Sequence, residues 1–237
     1  MTQRTINLYD GLEALYYLDS DYFDSGSNEL KDKSGHGLHA EAEGGPTVGV
    51  AGPGEFEATE FDGSDDVLVR QADVMTEDEF TAFGILRVND VVGNGGTITT
   101  SSGGNNTVSD GWELGQVNET NDRFNVVIRD NDAPGGQRRV LTRNLSDSIG
   151  EWFRVSLTFD SSEGIARAYY GFDAELSSRG PQAVSEYTSN DTMRFAMRGS
   201  GNPVDCTVAV GSFWSRVLNQ SELKLVHKLT GPRRAQL

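Results

Sequence analysis

The acidic run Glu55-Phe-Glu57-Ala-Thr-Glu60-Phe-Asp62 is where a hydrolase would show first. A retaining glycosidase needs two carboxylates about 5–5.5 Å apart. In an extended strand Glu60 and Asp62 share a face, whereas Glu57 and Glu60 fall on opposite ones. The run therefore reads as an acidic solvent face. A Ser/His/Asp relay needs a histidine held against a serine. His36 falls in a turn, His39 at a strand start, and His227 on a helix, one residue after Val226 and facing solvent. No Gly-x-Ser-x-Gly elbow occurs. Gly93-Asn-Gly-Gly96 lacks the lysine and following helix of a phosphate loop, so it reads as a turn. Cys206 lies mid-strand on an apolar face, where a free thiol is inert packing. With one cysteine and three histidines, a Cys/His zinc site within one chain and an intramolecular disulfide are both excluded. No catalytic residue is expected.

Composition narrows the partners. Thirty-six acids against 20 bases leave a formal charge of −16, which repels a phosphate backbone, so nucleic acid is not an expected partner. Sixteen of the 20 bases are arginines, and only Lys31, Lys33, Lys224 and Lys228 are lysines. A carboxylate-coated, lysine-poor surface stays hydrated in molar salt, where charges are screened over about 3 Å. That pattern points to an extremely saline habitat; an acidic surface that only aids solubility is the alternative. No run approaches the ~18 apolar residues of a membrane span. Asp10 and Glu13 interrupt the start, so no secretory signal peptide is expected.

Alternation dominates the chain. Phe153 to Asp160 alternates apolar and polar without a fault; Met193, Phe195 and Met197 share one face, as do Cys206, Val208 and Val210. Phe80 through Val88 is apolar on both faces, as a central strand would be. Further strands are predicted at 13–18, 38–43, 56–61, 66–71, 97–100, 111–117, 123–129, 137–142 and 164–172, with turn signals at Asp62-Gly63-Ser64-Asp65 and Asp132-Ala133-Pro134-Gly135-Gly136. Tyr16 and Tyr17 are consecutive, so one points inward and one outward. One short C-terminal helix follows Asn219, with Glu222 completing a capping box and Gly231-Pro232 ending it. The prediction is an all-β, two-sheet antiparallel sandwich forming a single domain over 1–237.

Three ordered segments carry a resemblance. They are Gly11-Leu-Glu-Ala-Leu-Tyr-Tyr-Leu-Asp19 with Asp32-Lys-Ser-Gly-His-Gly37; Phe61-Asp-Gly-Ser-Asp-Asp-Val-Leu-Val69 with Trp152 to Asp160; and Val204-Asp205 leading to Trp214-Ser-Arg-Val-Leu-Asn-Gln-Ser-Glu-Leu223. Together they resemble the laminin-G-like, concanavalin A-like jelly-roll domains of microbial surface proteins, over a core of residues 8–229. The chain departs from that pattern at Cys206-Thr207 and at Gly171-Phe-Asp-Ala. The resemblance implies a structural calcium carried by Asp32 and Asp205, and the Asp62–Asp66 loop reads either as a plain turn or as a calcium loop. It also implies sugar binding through aromatic platforms and amide or carboxylate hydrogen bonds. Trp112, Tyr170 and Asn106 are the candidates, with core packing as the other reading of Trp112. Trp152 and Trp214 are expected to pack.

The expected role is a non-catalytic carbohydrate- or cell-surface-binding module. Its placement would be the virion surface (tail fibre, turret or capsid decoration) of a virus infecting an extreme halophile. Partners would be a host glycan or glycoprotein and other assembly subunits, including copies of itself. A purely structural subunit and a polysaccharide depolymerase are the alternatives.

Overall fold

The computed structural model describes residues 6–71, 79–91, 95–100, 110–118, 122–146, 148–187, 192–198 and 202–228. In chain order the strands open with β1 (Leu12–Tyr17), β2 (Phe23–Asp24), β3 (Glu29–Leu30), β4 (Ala40–Glu43), β5 (Thr47–Ala51), β6 (Glu57–Asp62) and β7 (Val67–Gln71). They continue through β8 (Glu79–Val88), β9 (Gly96–Thr99), β10 (Trp112–Asn118), β11 (Arg123–Arg129), β12 (Gln137–Asn144), β13 (Trp152–Asp160) and β14 (Ile165–Tyr170). The last are β15 (Glu175–Leu176), β16 (Gln182–Ala183), β17 (Thr192–Phe195), β18 (Met197–Arg198), β19 (Asn202–Pro203) and β20 (Asp205–Trp214), followed by helix α1 (Gln220–His227).

Two nine-stranded antiparallel sheets form the sandwich. The first runs β15-β14-β13-β8-β20-β6-β5, with β1 pairing β20 and β16 pairing β14. The second runs β12-β11-β10-β9-β17-β7-β4-β3-β2. Every long strand expected from alternation is present; edge strand β5 was not foreseen, because Thr47-Val-Gly-Val-Ala51 carries a bulge at Gly49 that spoils its period.

Two apolar layers hold the molecule. Between the sheets lie Phe80, Trp112, Phe124, Phe153, Leu157, Phe195 and Phe213. The second layer covers the outer face of the first sheet, where Leu12, Tyr17, Phe83, Ile85, Val210 and Trp214 meet Leu218, Leu223 and Val226 at α1. That is why β8 is apolar on both faces. It also explains the paired tyrosines: Tyr16 enters the inter-sheet core and Tyr17 the outer layer, both buried. The sheets approach closely where Gly84 and Gly211 face each other across β8 and β20. A Cβ there would lie 2.7 Å from Ile98 or from the Phe195 ring.

Two alternation readings are corrected. A bulge between Val208 and Val210 leaves Cys206 and Val208 in the inter-sheet core but turns Val210 to the outer layer. Ala196, at a φ of 65°, breaks the run, so Met197 leaves β17 and pairs with Pro203 instead.

The capping box of α1 forms as read. Asn219 accepts from the backbone N–H groups of Ser221 and Glu222, and Glu222 accepts back from Asn219 N–H at 2.8 Å. Glu222 also takes a two-pronged contact from the Arg216 guanidinium, at 2.8 and 2.9 Å. No helix among the described residues is long and apolar enough to cross a membrane.

Candidate ligand-binding site

Strand β12 is the free edge of the second sheet, and β14 with β15 ends the first. Tyr170 closes β14 and pairs with Val155, on the side that faces the opposite sheet. A cleft of about 190 Å³ opens between these edges, lined by Leu141, Thr142, Arg143, Tyr170, Ser177 and Ser178. The Arg143 guanidinium lies 5.4 Å from the Tyr170 ring centre and 5.3 Å from that of Phe153. This is the distance of a cation held over aromatic faces.

Other hydrogen bonds hold the cleft walls. Ser177 Oγ donates to the Val140 carbonyl at 2.8 Å, tying the loop after β15 to β12. Arg179 donates its backbone N–H to Ser177 Oγ and its Nε–H to Thr142 Oγ1, at 3.2 and 3.1 Å. Thr142 in turn donates to Asn125 Oδ1 at 2.9 Å. The hydroxyls of Ser177 and Thr142 are thus spent on structure. The Arg143 guanidinium, the Ser178 hydroxyl and the Tyr170 phenol make no hydrogen bond or ion pair among the described residues. An aromatic face beside free donors is the chemistry that binds a sugar ring.

Of the three sugar-binding candidates only Tyr170 is placed in this cleft. Trp112 is corrected to core: it is fully buried, with rings of Phe80 and Phe213 at 5.9 and 5.4 Å, so it offers no face to a ligand. Asn106 lies outside the described residues. Arg143 and Ser178 were missed. The arginines of Gln137-Arg-Arg-Val-Leu-Thr-Arg143 were visible, but nothing local says which of them meets an aromatic 27 residues later.

Asp32 does not fit a metal ligand. Its Oδ1 accepts from Leu15 N–H and Ser34 N–H at 3.0 and 2.9 Å, and its Oδ2 from Ser34 Oγ–H and Leu38 N–H at 2.7 and 3.1 Å. Four donors fill the carboxylate. Asp205 pairs in register with Asp62 across β20 and β6, away from any partnership with Asp32. Asp62, Asp65 and Asp66 bring a carboxylate oxygen each to within 4.8 Å of one another. These supply three of the six to eight oxygens calcium takes, and Asp66 already accepts from the Asp62 N–H at 3.0 Å. Burial, then the charges of Asp62 and Asp65, push Asp66 above the usual carboxylate range, the Asp62 N–H pulling the other way. The turn reading accounts for the loop, and the cluster carries no metal assignment.

His227 is corrected from a solvent-facing position to a buried one. It has no exposed surface; its Nδ1 lies 2.6 Å from the Gly171 carbonyl and its Nε2 2.9 Å from Ser156 Oγ. The carbonyl can only accept, so Nδ1 carries the proton and Nε2 accepts from the serine. This outwardly resembles a nucleophile and its base, but Ser156 is also fully buried beneath α1, out of reach of a substrate. A wider groove of about 370 Å³ is lined by Glu29, His39, Glu41, Glu43, Val69 and Arg70.

No protein-family model and no curated protein sequence matches the chain. Solved structures do. The receptor-binding domain of botulinum neurotoxin C/D mosaic serotype superposes with a TM-score of 0.67 at 16% identity, over 93% of this chain and 52% of that one. The binding domain of botulinum neurotoxin DC in complex with SialylT gives 0.65 at 16% identity, over 93% and 52%. Trypanosoma rangeli sialidase gives 0.63 at 13% identity, over 94% and 34%. The chain spans about half the length of the toxin domains and a third of the sialidase. At such identities the likeness is one of fold: the β-sandwich expected of the jelly-roll resemblance, without confirming its laminin-G-like label.

Proposed function

We propose that this chain is a non-catalytic carbohydrate-binding module whose sugar docks in the Tyr170 cleft. The observation that carries the reading is the Tyr170 ring and its unspent phenol at a sheet edge, with two further unspent polar groups, the Arg143 guanidinium over the ring and the Ser178 hydroxyl, in the same cleft. Likeness in fold to a binding domain in complex with SialylT supports the class of ligand. Replacing Tyr170 by alanine is expected to weaken glycan binding about tenfold without loss of fold, as removal of a central aromatic anchor does. Titration of immobilised glycans in high salt measures it. A blank glycan array with the natural chain would overturn the reading and leave a purely structural subunit. Release of reducing ends from a polysaccharide would make it a depolymerase instead.

The same proposal places the module on the surface of a virus particle from a hypersaline host, built into an oligomeric assembly. The charge of −16 and the sixteen-to-four excess of arginine over lysine support its hypersaline part. Dialysis from molar salt into low salt is expected to unfold the chain, because unscreened carboxylates repel one another. Circular dichroism follows the loss, and an unchanged spectrum in low salt removes the halophilic placement.

A further inference from the structure

We infer that the Tyr170 cleft selects an acidic sugar residue, carrying a carboxylate or sulfate, and takes it as a chain terminus. The inference rests on the glycan-binding reading above and names its ligand class. Acids outnumber bases 36 to 20, and three described guanidinium groups are ion-paired. Arg138 pairs with Asp130, Arg167 with Glu163, and Arg216 with Glu222. Arg143 has no such partner among the described residues and is the sole charged group lining the cleft. Arg179, bound through Nε to Thr142, brings a second guanidinium to the same wall, and it too lacks an ion pair among the described residues. Glu175 faces Tyr170 in register across β14 and β15, but it is exposed and does not line the cleft.

The geometry gives Arg143 a fixed pose. Rings of Phe153 and Tyr170 lie 5.3 and 5.4 Å from its guanidinium, whose N–H groups find no acceptor among the described residues. That N–H fork matches a carboxylate or sulfate with two parallel hydrogen bonds, and the Ser178 hydroxyl adds a third donor. A neutral hydroxyl pair would use the fork less well. The cleft volume of about 190 Å³ falls below the roughly 300–1,000 Å³ of sites that enclose drug-sized ligands, so one ring enters and the chain continues outward. The surrounding negative surface repels anions at long range, so selection depends on these contacts rather than on attraction from afar.

The test uses the full chain in molar salt and paired probes that differ by one group. Glucuronate-terminated and glucose-terminated oligosaccharides form one arm, and galactose-6-sulfate-terminated and galactose-terminated ones the other. The acidic member of at least one arm is expected to bind about tenfold more tightly, and the arm that responds names the source of the charge. Arg143→Gln should erase the preference and Arg143→Lys restore part of it. Because Arg143 also packs on Phe153, Ser178→Glu provides an independent variant. It changes an exposed residue, puts a carboxylate in the cleft, and should weaken acidic probes more than their neutral partners, so the ratio within each arm falls toward one or below. Equal affinity for acidic and neutral members overturns the acidic selection but leaves the glycan-binding reading standing. Preference that survives both Arg143→Gln and Ser178→Glu places the acidic site elsewhere and also overturns it. No binding by any probe, with a blank array, brings down the reading beneath it.

Discussion

Asp32→Ala is expected to destabilise the fold by about 4 kcal/mol, because four donors lose one charged acceptor and three of them are backbone N–H groups. For a chain of this size that corresponds to a fall in Tm of about 10 °C. The carboxylate is only 7% exposed, so water cannot replace it freely. It ties Leu15 of β1 to the turn that leads into β4, and Tyr16 reinforces the junction by donating its phenol to the Leu38 carbonyl. Asp32→Asn should lose most of the same stability, since an amide NH₂ in either orientation would face donors. Burial alone would raise the Asp32 pKa, but the donors from Leu15, Ser34 and Leu38 outweigh it and hold the carboxyl below its usual range. The stabilisation is therefore present above about pH 4 and is lost as the carboxyl protonates in stronger acid. Denaturant unfolding of the three proteins measures the difference. Treatment with EDTA should change nothing at Asp32; an EDTA effect equal to that of Asp32→Ala would return the residue to metal binding.

The second large effect concerns the buried histidine. Burial pushes the His227 pKa down from 6.5 to about 4; the Gly171 carbonyl opposes this and the nearby Arg154 guanidinium adds to it. In the unfolded chain the imidazole takes a proton near pH 6.5, while in the folded one it resists until about pH 4. The unfolded state binds more protons across that window, so stability falls as pH drops from 6.5 toward 4. The 2.5-unit gap corresponds to about 3 kcal/mol. Among the described residues the ring meets Ser156 on β13, Phe83 on β8 and the Gly171 carbonyl, with Arg154 nearby, and none of these is an acid that could neutralise an imidazolium. Release of α1 from the sheet is the expected structural consequence, since His227 is its last buried residue. Asp19 works in the opposite direction: burial lifts it to about 6, so it favours the folded state more as pH falls toward 4. The informative quantity is thus the difference between the natural chain and His227→Gln, from urea midpoints at pH 4 to 7. Parallel curves for the two proteins would refute the role given to His227.

The sandwich was legible because strand formation is local. Side chains alternate along any extended backbone, so Phe153 to Asp160 announces a strand wherever it lies in the fold. The capping box of α1 is equally local, needing only Asn219 and Glu222 three residues apart. Tyr170 is named through the family resemblance, as an aromatic able to form a sugar platform, and not from a local signal.

Its partners in the cleft could not be named. Arg143 meets Tyr170 because β12 and β14 end opposing sheets, a pairing set by the order of strands between them. Period-two patterning tells which residues share a face but not what covers that face. Hence Trp112 could be read as core or as platform until the second sheet was seen to enclose it against Phe80 and Phe213. His227 reads as solvent-facing in sequence because it sits one residue past Val226 on the helix. Here α1 folds back and makes a second apolar layer. The Asp32 turn shows the same limit: acceptor-rich residues look alike in sequence whether donors or a cation fill them. Periodicity and caps arise from neighbouring residues and survive in the string of letters. Burial and partnership arise from residues tens or hundreds of positions apart, so they exist only once the chain has closed on itself.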